Sequence, residues 1–169
     1  MFQHTVPIRL ITNFALFQAC WLLALFYQAN ALWLMCIVCV LLLITNHSFK
    51  KQCLLLVLAL PAGLSVELVA IYTGMIQHPE NALPSWLVVL WIAFILTFDS
   101  SLKGILSLPR YLGAIVVAAF APASYIAAAN FGVFEIMVST SQFYAVFGTA
   151  WLACTLFFII IYDWLFTKC

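Results

Sequence analysis

The chain has 169 residues, of which 67% are hydrophobic and 7% charged, with a formal net charge of +1. A soluble domain carries about 25% charged residues, so this composition excludes a water-exposed globular surface and leaves lipid as the solvent for most of the molecule. The few basic residues are scattered singly or in pairs, which excludes a nucleic-acid interface.

Only helices and closed barrels satisfy their backbone groups in lipid. The apolar runs here are about twenty residues long and apolar on every face, the length and pattern of membrane helices and not of barrel strands. Six runs use up nearly the whole chain and leave no room for a soluble domain. The expected fold is a single all-α integral-membrane domain over residues 1–169, a bundle of six transmembrane helices.

The first span runs from Ile8 to Tyr27 and carries Asn13, Gln18 and Trp21. Ala29-Asn30-Ala31 has the small-x-small look of a signal-peptide cleavage site, but the apolar stretch before it is longer than a typical h-region and reads as a span. A short turn at Gln28-Ala29-Asn30 leads into the second span, Ala31 to Ser48, predicting a tight antiparallel hairpin. Cys36 and Cys39 share a face there but lack the histidines that would complete a metal site.

The third span, Gln52 to Ile76, contains Pro61 and the one formally charged residue well inside a run, Glu67. Gly63, Glu67, Ala70 and Gly74 follow at steps of three or four and share a helix face. Small residues on that face let another helix approach closely, so Glu67 is expected to point into the bundle. It reads either as a site for a proton, a cation or a polar head group, or as a protonated acid bonded to a neighbouring helix for packing. Gln18 is a candidate bonding partner for it, and Asn13 lies deeper toward the other end.

His78-Pro79-Glu80-Asn81 forms a turn cluster before the fourth span, Ser85 to Phe98. Asp99 to Arg110 is the longest connection, and part of it is expected to lie along the membrane surface. The fifth span, Tyr111 to Phe131, is rich in small residues, with Ala114/Ala118 and Ala119/Ala123/Ala127 at packing spacing. Pro122 should bend it, and Ser124 and Tyr125 follow with hydroxyls. A cavity between bent third and fifth helices is one reading, and plain packing the other. Gly132 to Gln142 forms a loop or short interfacial helix before the sixth span, Phe143 to Phe166.

All six Lys and Arg residues, Arg9, Lys50, Lys51, Lys103, Arg110 and Lys168, fall at one set of run ends. This positive-inside pattern predicts cytoplasmic N- and C-termini. Tyr27, Trp33, Tyr72, Trp86 and Tyr144 fall near the predicted outer ends, and Tyr111, Tyr162 and Trp164 near the inner ends, as an aromatic belt requires. Asn46-His47-Ser48 and Asp99-Ser100-Ser101, with Lys103 and Arg110, read either as residues that simply face water or head groups or as a polar inner face.

Asn13-Phe14 with Gln18 and Trp21, Gly63-Leu64-Ser65-Val66-Glu67 with Gly74, Pro84-Ser85-Trp86 with Leu90-Trp91 and Phe94, and Pro122-Ala123-Ser124-Tyr125 occur in this order. Across nearly the whole chain this resembles a bacterial inner-membrane family known as domain of unknown function 2878. In that family an Asp often stands at the place of Glu67, and Asn-His-Ser at that of Asp99-Ser100-Ser101. The resemblance implies a multi-pass protein of the bacterial inner membrane, in the company of fatty-acid-modifying enzymes.

Two functions follow. The first is a non-catalytic protein that binds membrane lipids or a lipid-modifying partner enzyme. The second is a small carrier or substrate-binding subunit using Glu67 for a proton or polar group. Asn13, Gln18, Trp21, Glu67, Ser124 and Tyr125 are the candidate ligand-binding residues in either case. An enzyme ranks third, with Glu67 and Tyr125 its acid–base candidates. No phosphate-binding glycine loop or metal-ligand pattern calls for a cofactor.

Overall fold

The computed structural model describes residues 8–46, 48–80, 82–103 and 108–166, with the backbone alone of Arg110. His47 and Lys168 lie outside the described residues, as does the side chain of Arg110. The long apolar runs are α-helices: α1 (Ile8–Tyr27), α2 (Leu32–Ile44), α3 (Phe49–Tyr72), α4 (Ser85–Ile95), α5 (Arg110–Asn130) and α6 (Thr140–Phe166). A 3-10 turn, Gln28–Ala31, folds α2 back on α1, and Gln28 enters it in the left-handed region at φ 49°.

Among the described residues, four segments are long and apolar enough to cross a membrane: Ile8–Ile44, Phe49–Tyr72, Tyr111–Asn130 and Thr140–Phe166. The first of these is the α1–α2 pair. The predicted fourth span is shorter than expected. As an α-helix it ends at Ile95, and eleven residues reach only about 16 Å of a hydrocarbon core of about 30 Å. From Leu96 onward the chain winds in tighter turns, with Thr97 N–H donating to Phe94 O, Phe98 to Ile95 and Ser100 to Thr97. Six spans therefore do not follow from helix length alone.

Helices α3 and α5 run through Pro61 and Pro122 and finish alike. Gly74 and Gly132 take positive φ, 67° and 76°. At each end a six-to-one bond closes the helix, Met75 N–H to Ala70 O and Val133 N–H to Ala128 O. This is the glycine-closed ending that reverses the chain without a Cβ penalty. It sends both chains into two-residue strands, β1 (Ile76–Gln77) and β2 (Glu135–Ile136), which pair antiparallel with Ile76 opposite Ile136. The segment read as a loop or interfacial helix is thus half of a small sheet. The ends of α3 and α5 are thereby tied together.

His78 follows β1 and is 2% exposed, with Trp86 edge-on at 6.0 Å and Phe134 at 5.2 Å. Burial pushes its imidazole below the usual histidine range, so the unfolded chain binds its proton more readily than the folded one. Stability from this site is complete above the unfolded value of about 6.5 and falls as pH drops below it. Thermal unfolding of the detergent-solubilised protein should shift down between pH 7 and 5, and His78→Phe should flatten that slope. An unchanged slope in His78→Phe would assign the effect elsewhere.

The opposite end gathers the polar and basic groups. Arg9 Nε donates to Thr45 O, Asn46 Nδ2 to Leu96 O at 3.0 Å, and Tyr162 OH to Asp99 Oδ1 at 3.0 Å. Lys103 pairs with Asp99 at 3.6 Å, and Lys51 lies over the Phe166 ring. The start of α1 and the end of α6 therefore share one end of the bundle. Tyr27, Trp33, Tyr72, Tyr144, Tyr111 and Trp164 are exposed, as belt residues should be, but Trp86 and Tyr162 are buried. Trp86 packs on His78 and Tyr162 bonds Asp99, so neither is available to a headgroup layer.

Candidate ligand site

Ala59, Gly63, Glu67 and Ala70 form the buried face of α3. Gly63 is the key to it. A Cβ there would stand 2.5 Å from two carbons of the Trp91 indole, so that ring can lie flat across α3 only because position 63 has no side chain. From this seat Trp91 Nε1 donates to Glu67 Oε1 at 3.0 Å. The Tyr125 hydroxyl, from α5, donates to the same oxygen. Glu67 is 0% exposed and bridges three helices.

Aromatic packing holds both donors in place. Trp91 stacks on Trp151 of α6 at 4.8 Å and 16°. Tyr125 meets Phe147 edge-on at 4.6 Å and is tilted on Phe134 at 5.8 Å. Three buried polar atoms near this cluster have no hydrogen-bond partner among the described residues: Glu67 Oε2, Trp151 Nε1 and Thr155 Oγ1. Orphaned polar atoms are uncommon in folded proteins, and in lipid each costs several kcal/mol, on the order of a lost hydrogen bond or more.

A cavity of about 700 Å³ opens beside the cluster. Phe17, Gln18, Trp21 and Ala24 line it from α1, Trp86, Leu90, Trp91 and Phe94 from α4. Val117, Phe120, Ala121, Ser124, Tyr125 and Ala128 line it from α5, and Trp151 from α6. The cavity exists because α1 packs mainly on α2 and α4 while α5 packs mainly on α6, leaving a cleft between α1 and α5. Phe26 and Phe131 bridge that cleft edge-on at the β1–β2 end. Phe120 stands at its mouth, 71% exposed.

The predicted site residues divide in three. Gln18, Trp21, Ser124 and Tyr125 line the cavity. Glu67 lies behind its wall, covered by Trp91 and Tyr125. Asn13 belongs elsewhere: its amide donates to Thr45 Oγ1 at 2.8 Å and its carbonyl accepts from Ser101 Oγ at 2.8 Å, at the basic end. The candidate bond from Gln18 to Glu67 required α1 to touch α3; α4 packs on α3 instead, and Trp91 and Tyr125 are the donors to Glu67. For the same reason the cavity lies between α1, α4 and α5 and not between α3 and α5. Ser124 Oγ is already bonded to Ala121 O at 2.8 Å. Trp91 and Trp151 carry the site yet escape a reading from hydrophobicity. Their signal is position, since both sit well inside their helices, away from the ends where Trp usually anchors.

Residues 10–157 match the family described as "Protein of unknown function (DUF2878)". The chain belongs to this family. The matched region includes Gly63, Glu67, Trp91, Tyr125 and Trp151, so the cluster and its cavity lie inside the DUF2878 domain. No curated protein and no solved structure matches this DUF2878 chain.

Proposed function

We propose that this protein crosses a bacterial inner membrane six times, with both ends in the cytoplasm, and binds a membrane-dissolved apolar ligand without transforming it, in support of a lipid-modifying partner. The carrying observation is the cavity of about 700 Å³, a size suited to one small ligand. Its walls are apolar apart from Gln18, Ser124, Tyr125 and the indole nitrogens. Its mouth between α1 and α5 faces sideways, where acyl chains would lie. The sharing of one end by Arg9, Lys51 and Lys103 favours the six-span topology, since an even number of crossings returns the chain to its starting side. The turns after Ile95 lengthen α4 toward that end.

Purification in native nanodiscs followed by lipid mass spectrometry tests the reading. The protein should retain an apolar species above bulk bilayer composition, and Ala121→Phe, which fills the cavity, should lose it. Equal lipid profiles for the two proteins would overturn the proposal. For the protein in sealed vesicles, amine reagents should reach Lys51 and Lys103 from one side only, and labelling from opposite sides would overturn the topology.

The carrier reading draws its support from Glu67 Oε2, a buried acid oxygen with no partner among the described residues. It requires Glu67 to exchange partners during transport, so Glu67→Gln should abolish flux, and unchanged flux would remove it.

A further inference from the structure

Among the described residues, Glu67 is an acid without a cation. Its donors are the neutral Trp91 and Tyr125. Lys51, at the basic end, lies sixteen residues and roughly 24 Å of helix away. Acids at such depth usually pair with a charge or mark a ligand path. Both donors bind Oε1 and leave Oε2 unused.

The cavity beside it is built to favour positive charge. Among the described residues, nine of the twenty-three that line it are aromatic, and none is Lys, Arg or His. Aromatic ring faces carry negative potential and attract ammonium groups. Trp91 and Tyr125 both line the cavity and bond Glu67, and Trp151 lines it stacked on Trp91, so the acid is one side-chain layer from the ligand space. A carboxylate head group would meet no cation among the described lining residues, only neutral donors such as Gln18, Ser124 and the Trp151 indole N–H beside that acid.

We propose that the ligand is a cationic amphiphile, a protonated amine on an apolar tail. The tail lies between α1 and α5. The ammonium sits against Trp91, Trp151 and Tyr125, with Glu67, one side-chain layer behind them, as its counter-ion. An ion pair in low dielectric is favourable only when its remaining hydrogen bonds are satisfied, and Trp91 and Tyr125 supply those to Oε1. The inference rests on the apolar-cavity reading and adds the head group to it.

Head-group selectivity decides it. Protein in phosphatidylcholine nanodiscs is titrated with dodecylammonium, dodecanol and dodecanoate below their micellar concentrations, with empty discs correcting for partitioning. Tryptophan fluorescence is the readout, since Trp21, Trp86, Trp91 and Trp151 line the cavity. Dodecylammonium should saturate and bind roughly tenfold tighter than dodecanol, the order of one charge-assisted contact. Dodecanoate should bind weakest. Glu67→Gln should erase the preference and Glu67→Asp should keep it. Equal binding of all heads, or preference for dodecanoate, overturns the cationic assignment and leaves the apolar cavity standing. No saturation by any of them overturns both. The head-group series on the unaltered protein separates these outcomes even if Glu67→Gln does not fold.

Discussion

Gly63→Ala should displace the Trp91 indole and destabilise the protein by about 1–3 kcal/mol, the usual cost of overpacking a filled core. The added methyl would stand 2.5 Å from two ring carbons, and these belong to a rigid ring stacked on Trp151. The ring cannot swing away as a flexible side chain would. Moving it breaks the bond to Glu67 and the stack on Trp151 together. Ala is the better helix former by about 1 kcal/mol, so a helix limited by propensity would gain stability from the same change. The sign of the effect therefore separates close packing from propensity. Denaturant or thermal unfolding in mixed micelles gives the stability. Near-ultraviolet circular dichroism reports the stacked indoles, and their signal should fall. A stabilised variant with an unchanged indole signal would show that Trp91 does not rest on α3.

Asn13→Leu should loosen the basic end by about 1–3 kcal/mol while leaving the ligand cavity intact. Asn13 is 0% exposed and joins α1 to Thr45 after α2 and to Ser101 after α4. Its Oδ1 also faces the Ser101 N–H at 3.4 Å. A polar bond between membrane helices averages about 0.6 kcal/mol. Here one side chain serves three segments, and its loss leaves Ser101 short of an acceptor, which adds the desolvation penalty of an unmade bond. Thr45 is less affected, because its hydroxyl also bonds Leu42 O at 2.6 Å. Hydrogen exchange should rise at Ser101 and Leu102, with ligand binding unchanged. Loss of ligand binding with unaltered exchange would place Asn13 in the site after all.

Most of the helices were legible because nothing interrupts their apolar runs. Ile8–Tyr27 has the predicted limits, and α5 begins and ends one residue early. The limits fail where polarity does not mark the end. Hydropathy carries the fourth run through Phe98, but the backbone leaves the α-helix at Ile95, since apolar residues fill tight turns as readily as helices. The strand pair was illegible for a different reason. Two residues carry no periodicity, although Gly74 and Gly132, each closing a helix before a short apolar segment, were its available signal. Of the site, the buried acid and its small-residue face could be read from spacing on one helix. Its partners could not, because Trp91 and Tyr125 come from helices 24 and 58 residues away.

What the sequence by itself determined is a helical, lipid-compatible chain with its charges at the run ends and one acid turned inward. Those features are local: they follow from the polarity of each residue and the periodicity of its own helix. The tertiary structure alone decided that α4 covers α3, that Trp91 lies over Gly63 and that α1 and α5 part to leave a cavity. Which helices touch depends on how side-chain shapes interlock across the bundle, and hydropathy is nearly the same on every candidate face.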